Sequence, residues 1–217
     1  MSERKENVVR IPVDDDFIEG NLRLPAGAKG VVLFAHGSGS SRFSPRNQYV
    51  ANVLNKAEIA TLLIDLLTKD EEKVDMRTRQ FRFDIDLLTE RLMSAAKWLK
   101  RNTRMQNLKL GIFGSSTGAA AALIAAAKLP GDVAAVVSRG GRPDLAMEHL
   151  AEVRAPSLFI VGGRDAVVID LNRKAMAEVS AKKNLEIVPG ATHLFEEPGK
   201  LEEVAKLATS WFLQHFE

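Results

Sequence analysis

Residues Leu108–Lys128 read LKLGIFGSSTGAAAALIAAAK, an apolar segment that passes through Gly114-Ser115-Ser116-Thr117-Gly118 into a run of alanine, leucine and isoleucine. The first part suits a strand buried on both faces, and the part after Thr117 suits a helix with almost no solvated face. The link between them is very short. Ser116 has one residue on either side before a glycine, so the chain must turn from strand to helix where side chains have little room. Glycine at 114 and 118 removes the two Cβ atoms that would clash, and the turn is expected to hold Ser116 in a strained conformation with its hydroxyl outward. A glycine-rich turn leading into a helix also suits a phosphate on the helix N-terminus, so the remainder of the chain has to separate the two readings.

On both sides of this stretch, strand and helix alternate. Val8–Val13 and Phe17–Leu24 flank the turn-forming Asp14-Asp15-Asp16 and read as an antiparallel hairpin. GVVLFAHG is a buried strand ending at His36-Gly37, followed by the Ser/Gly-rich SGSSRFSP and a helix over Pro45–Lys56. IATLLIDLL is the next buried strand. The charged Thr68–Arg79 reads as a solvated loop, and a long helix is expected from near Gln80, with Phe81, Ile85, Leu88, Leu92, Ala95 and Leu99 forming one apolar stripe. After the central stretch come the strand VAAVVSRGG, the short helix PDLAMEHLAEV and the strand PSLFIVGGRD. A helix over Ile169–Ser180, the strand LEIVPG and a final amphipathic helix over Lys200–Phe216 complete the chain. The pattern predicts a single α/β domain over residues 1–217, with eight strands that run parallel from the third onward. Function is then expected at the carboxyl ends of the parallel strands.

Composition narrows the function. With 46% hydrophobic residues the 217-residue chain can fill one large core, and its net charge of +2 is the balance of 30 basic and 28 acidic residues. No long run of one sign suggests nucleic acid as a partner. MSERKENVVR is polar where a secretory leader is apolar, and no apolar run approaches the roughly 18 residues of a membrane span, so a cytoplasmic protein without membrane contact is expected. There is no cysteine, which excludes disulfides, thiolate metal sites and a thiol nucleophile. No His/Asp/Glu grouping has the spacing of metal ligands, and no cofactor is expected.

Gly-x-Ser-x-Gly between a strand and a helix is the nucleophile elbow, and the chain resembles the α/β-hydrolase superfamily, within it the small capless dienelactone-hydrolase-like proteins, from about Val8 to the C-terminus. The resemblance implies an α/β-hydrolase fold with a mostly parallel eight-stranded sheet, helices on both faces and no cap domain. It also implies a triad in the order Ser116, Asp165, His193, with the acid at the end of PSLFIVGGRD and the histidine in GATH. A serine hydroxyl needs an imidazole to take its proton, and the imidazole needs a carboxylate to hold its tautomer. Asp144 and Asp170 compete for the role of the acid. His149 and His215 are less suitably placed, and His36 is expected to shape the loop after the third strand. The oxyanion donors implied are the amides of Thr117 and Ser38, with Gly37 as the alternative to Ser38. Thr117 is also expected to cap the helix, and Ser115 to hydrogen-bond locally.

Cysteine is the nucleophile in the best-known dienelactone hydrolases, so their lactone substrate does not carry over. The expected activity is cleavage of small carboxylic esters through an acyl-enzyme on Ser116. An acyltransferase using the same triad, or a binding protein on this fold with an idle triad, is the alternative. Five arginines lie near strand ends or the oxyanion loop: Arg42, Arg46, Arg139, Arg142 and Arg164. Solvated surface is their plain reading, with Arg139 or Arg142 as candidates to pair with a substrate carboxylate.

Overall fold

Strand β5 (Lys109–Ser115), which contains LGIF, lies inside an eight-stranded sheet whose order is β1-β2-β4-β3-β5-β6-β7-β8. The computed structural model describes residues 7–217, so the first six residues of the polar N-terminal segment lie outside it. The other strands are β1 (Asn7–Val13), β2 (Asp16–Arg23), β3 (Gly30–Ala35), β4 (Ala60–Ile64), β6 (Val133–Arg139), β7 (Ser157–Gly162) and β8 (Lys183–Val188). β1 and β2 form the antiparallel hairpin, and β3 to β8 are parallel.

The chain leaves β3 for β4 on one side and returns to β5 on the other. The carboxyl ends of β3 and β5 therefore flank the point where the winding reverses, and a crevice opens there in open α/β sheets. The loop after β3 and the turn after β5 meet at this point.

Helices cover both faces. α1 (Pro45–Lys56) and α6 (Lys200–Phe216) pack together on one face, over a core that includes Phe34, Phe113 and Phe212. α3 (Ile85–Arg101), α4 (Thr117–Lys128) and α5 (Ala166–Glu178) cover the other, joined by a 3₁₀ segment at Pro143–Glu152. Every residue of α4 from Thr117 to Ala127 is buried, because α3, the 3₁₀ segment and the sheet enclose it. Alanine is the side chain such a site can hold. This is the α/β-hydrolase fold expected from the sequence, and among the described residues no cap domain interrupts it.

Two expectations fail in the same place. Thr68–Arg79 is not a solvated loop but carries helix α2 (Lys69–Thr78). Its start is a capping box, in which Thr68 Oγ1 accepts from Glu71 N at 3.3 Å and Glu71 Oε2 accepts from Thr68 N at 2.7 Å, with acidic residues in the first turn. Arg79, at φ 59°, ends it in the left-handed region. The long helix then begins at Ile85 and not near Gln80, with Asp84 Oδ1 accepting from Leu87 N at 3.0 Å as its cap. Residues 80–84 are held otherwise: buried Asp75 accepts from Phe81 N at 2.8 Å and from Arg82 N at 3.0 Å, and pairs with the Arg82 guanidinium at 2.6 Å. Burial alone would raise the Asp75 carboxyl, but the bonds from Arg82 and Phe81 bring it below its ordinary range. A smaller difference is α5, which starts at Ala166, directly after Asp165.

Candidate active site

The turn between β5 and α4 is built by close backbone packing. A Cβ on Gly114 would lie 2.5 Å from Ala119 Cα, and one on Gly118 2.4 Å from the His36 carbonyl oxygen, so neither position accepts a side chain without moving backbone. Ser116 is held at φ 52°, ψ −123°. This is a conformation that non-glycine residues occupy at a cost of about 1–3 kcal/mol, compensated by the surrounding structure. Three backbone bonds pin it: Ser116 N donates to Arg139 O at 3.2 Å, and Ser116 O accepts from Ala119 N and Arg142 N, both at 3.1 Å.

Asp165 follows β7 and occupies the position before α5, yet its carboxylate makes no cap to that helix. It accepts instead from His193 Nδ1 at 2.6 Å. A carboxylate acceptor puts the proton on Nδ1 and leaves Nε2 with a lone pair, which is the tautomer a general base requires. The His193 loop is fixed by the residues around it. Phe195 is buried at φ 58°, Thr192 N donates to both carboxylate oxygens of Glu197 at 3.1 Å, and Arg164 N donates to Ala191 O at 2.9 Å. Gly140 makes room for the imidazole, since a Cβ there would lie 3.4 Å from His193 Cε1. Asp165 and His193 are thus brought together, whereas Ser116 Oγ and His193 share no hydrogen bond in this arrangement. The competing acids are engaged elsewhere, Asp144 with Arg142 and Asp170 with Arg173.

The loop after β3 lies against Ser116. A Cβ on Gly37 would come within 3.0 Å of Ser116 Cβ. His36 is buried and serves this loop, with Nε2 accepting from Leu66 N at 3.1 Å and Nδ1 facing Gly37 O at 2.9 Å. These partners require the neutral ring with its proton on Nδ1, and burial pushes its pKa down. Ser38 N donates to Thr117 Oγ1 at 3.0 Å. Thr117 therefore does not use its side chain to cap α4, as its sequence position suggested, but ties the loop to the elbow. Ser115 also bonds at long range, its Oγ meeting Ala35 O and Asn47 Oδ1, both at 3.3 Å.

Beside this loop is a cavity of about 230 Å³, lined by residues 36–40, by Leu66, Leu67 and Leu88, and by Glu72, Asp75 and Met76 of α2 with Arg82. Its α2 wall was not legible as structure in the sequence, although Thr-Lys-Asp-Glu at 68–71 has the form of a capping box. The arginines divide. Arg42 is bound by Asp65, Glu19 and Asn21, Arg142 is held through Nε and Nη2 by Asp144, and Arg46 meets Glu196 at 2.8 Å. The Arg139 side chain is buried. No group of three or more His, Cys, Asp or Glu residues suited to a metal ion occurs among the described residues, and none of their helices is long and apolar enough to cross a membrane.

The family model described as "Dienelactone hydrolase family" matches residues 20–216. A crystal structure described as that of dienelactone hydrolase from Anabaena variabilis is 56% identical, the match covering 98% of this chain and 99% of that one, and superposes with a TM-score of 0.97. A Mycobacterium tuberculosis (strain H37Rv) protein named "Putative phosphoribosyl transferase" is 54% identical over 215 residues, 99% of this chain but 47% of that protein. The chain thus spans about half the length of the curated relatives it matches. A Xanthomonas campestris protein described as an α/β serine hydrolase without lid shares the fold, with a TM-score of 0.78 at 16% identity, over 99% of this chain and 96% of its own.

Proposed function

The chain belongs to the dienelactone hydrolase family, and from that premise we propose that it is a serine hydrolase cleaving small carboxylic esters. The observation that carries the proposal is the Asp165–His193 bond of 2.6 Å at the strand ends beside an elbow that presents a serine at positive φ. A phosphate site in the GSSTG turn would give that carboxylate–imidazole pair no role.

In the proposed reaction the Ser116 hydroxyl attacks the ester carbonyl carbon while His193 Nε2 takes its proton, and Asp165 stabilises the imidazolium. The tetrahedral oxyanion is met by the Thr117 amide, at the N-terminus of α4, and by an amide of the loop after β3. Ser38 N reaches it by exchanging Thr117 Oγ1 for the oxyanion, and Gly37 N is the alternative donor. Collapse breaks the bond to the leaving oxygen, which receives the proton from His193. Water then repeats the cycle on the acyl-enzyme and releases the acid. An acceptor other than water would make the same intermediate an acyltransferase. The absence of cysteine keeps the thiol chemistry of the best-known family members out of this site.

A second reading, a binding protein with an idle triad, draws on the missing Ser116–His193 hydrogen bond. Catalytic hydrogen bonds often tighten only in complex with substrate, which favours the first. Intact-mass labelling with a fluorophosphonate decides between them. One adduct on Ser116, absent from Ser116→Ala and strongly slowed in His193→Ala, together with hydrolysis of short p-nitrophenyl esters, is the expected result. Folded protein that takes up no label would hand the site to the binding reading.

A further inference from the structure

The sheet order places His193 and the α2 cavity on opposite sides of Ser116. In β4-β3-β5-β6-β7-β8 the serine follows β5, whereas Asp165 and His193 follow β7 and β8, and Gly140, after β6, packs on the imidazole. The cavity lies across the elbow from them, beside residues 36–40 after β3 and Leu66 and Leu67 after β4. The substituents of the proposed tetrahedral intermediate are sorted by this arrangement. The leaving oxygen takes its proton from His193 and so stands on the β6 side, the oxyanion faces the amides of Thr117 and the β3 loop, and the acyl chain is left to run toward the cavity.

What lines the cavity narrows the kind of acyl chain. Leu66 and Leu88 are buried at its floor, Leu67 is half-buried, and Met76, 67% exposed on α2, forms its lip. Its arginine is not free, because Arg82 Nε is 2.6 Å from Asp75 Oδ2 and the two charges offset each other. Glu72 stands one turn before Met76 on α2 and adds a carboxylate that repels an anionic chain. An engineered apolar cavity of about 150 Å³ takes up benzene, so one of about 230 Å³ has room for a chain of about six carbons or a phenyl ring. The α2 wall is also fixed in place. Arg91, buried on α3, holds Glu71 of α2 at 2.7 Å and Asp14 of the β1–β2 turn at 2.8 Å, while the bonds of Asp75 hold the other end of α2. A pocket formed in advance binds without the cost of ordering its walls.

We propose that this cavity is the acyl pocket, that it selects uncharged apolar acyl groups of about four to six carbons, and that Met76 sets the upper limit of their length. The proposal rests on the esterase reading and gives it a substrate class.

The test measures kcat/KM by pH-stat on two series, methyl esters from acetate to octanoate and acetates from methyl to hexyl, in wild type, Met76→Trp and Met76→Ala, with thermal melts and Ser116 labelling to show that each variant is folded. Each methylene buried in the pocket is expected to raise kcat/KM by up to about fourfold, so that methyl hexanoate exceeds methyl acetate by about tenfold or more in wild type and methyl octanoate falls below methyl hexanoate. Met76→Trp fills the lip and should bring the ratio of hexanoate to acetate close to one. Met76→Ala opens it and should move the optimum to octanoate. A wild-type ratio near one, a ratio unchanged in folded Met76→Trp, an optimum unmoved in Met76→Ala, or a length dependence carried by the alcohol series in place of the acyl series overturns the proposal. So does monomethyl adipate cleaved as well as methyl hexanoate, since it carries a carboxylate into the pocket. If no ester is cleaved and Ser116 takes no label, the esterase reading has failed on its own. Calorimetric titration with butyl methyl ketone then tests the pocket directly: binding weakened about tenfold or more in Met76→Trp supports it, and no binding, or binding untouched by the substitution, overturns it.

Discussion

Ser116 and His193 are delivered to one crevice by two loops built in opposite ways. The elbow is backbone against backbone: glycines that admit no Cβ, a buried α4 and three main-chain bonds around a serine at positive φ. The histidine loop is half open. The His193 side chain is 39% exposed, and one side-chain bond, to Asp165, sets its ring. The difference teaches that changes at the elbow should register as stability, and changes at the histidine loop as rate.

The strongest way to break that separation is Asp165→Asn. An amide in place of the carboxylate keeps the shape but can donate to Nδ1, which places the imidazole proton on Nε2, where the serine proton must go. In a serine triad this substitution costs about 10⁴-fold in kcat. For this chain a loss of that order is expected with p-nitrophenyl acetate, with a thermal midpoint within a few degrees of wild type because the helix gains no cap from Asp165. A large fall in the midpoint, or a loss in kcat below tenfold, would mean that Asp165 serves the fold more than the histidine.

On the elbow side, His36 offers a test through pH. Its folded ring is neutral and its pKa is pushed down by burial, against an unfolded value of about 6.5. Below about pH 6.5 the unfolded chain therefore binds a proton that the folded chain refuses. Stability contributed by the neutral ring is full above that pH and is lost as pH falls toward the folded pKa, at no more than about 1.4 kcal/mol per pH unit. Urea unfolding at pH 7.5, 6 and 5 should show wild type losing stability faster than His36→Gln, so that the gap between them narrows on acidification. Parallel curves would place the proton of His36 outside the folding equilibrium.

These contrasts also explain what could be read from the sequence. The elbow was legible because its constraints are local: Gly114 and Gly118 are demanded by a turn five residues long, and the alanine run by enclosure on every side. The family resemblance, through the order Ser, Asp, His, pointed to Asp165 and His193, and the structure sets them 2.6 Å apart. What stayed hidden is held by polar side-chain bonds, which leave no apolar period in the sequence to read. α2 has little apolar stripe and is held by its capping box and by Asp75, whose bonds to residues 81 and 82 also delay the start of α3. Arg139 and Arg142 looked equivalent in SRGGRP. Only the fold separates them, by placing Asp144 on Arg142 and leaving Arg139 without a carboxylate among the described residues.

The finest test of the comparison measures the strain at the elbow itself. At φ 52°, ψ −123° an alanine at position 116 keeps the Cβ penalty that serine bears, whereas glycine does not. Removing about 1–3 kcal/mol of backbone strain is partly offset by the greater freedom of glycine in the unfolded chain, about 0.5–1 kcal/mol, so a net gain near 1 kcal/mol is expected. For a chain of this size that corresponds to roughly 2–4 °C in thermal midpoint. Ser116→Gly should therefore melt above Ser116→Ala while both lack activity, which separates relief of strain from loss of the hydroxyl. Equal midpoints would mean that the surrounding bonds from Ala119, Arg139 and Arg142 make this conformation nearly free of cost, and the elbow would then be a rigid turn that stores no strain.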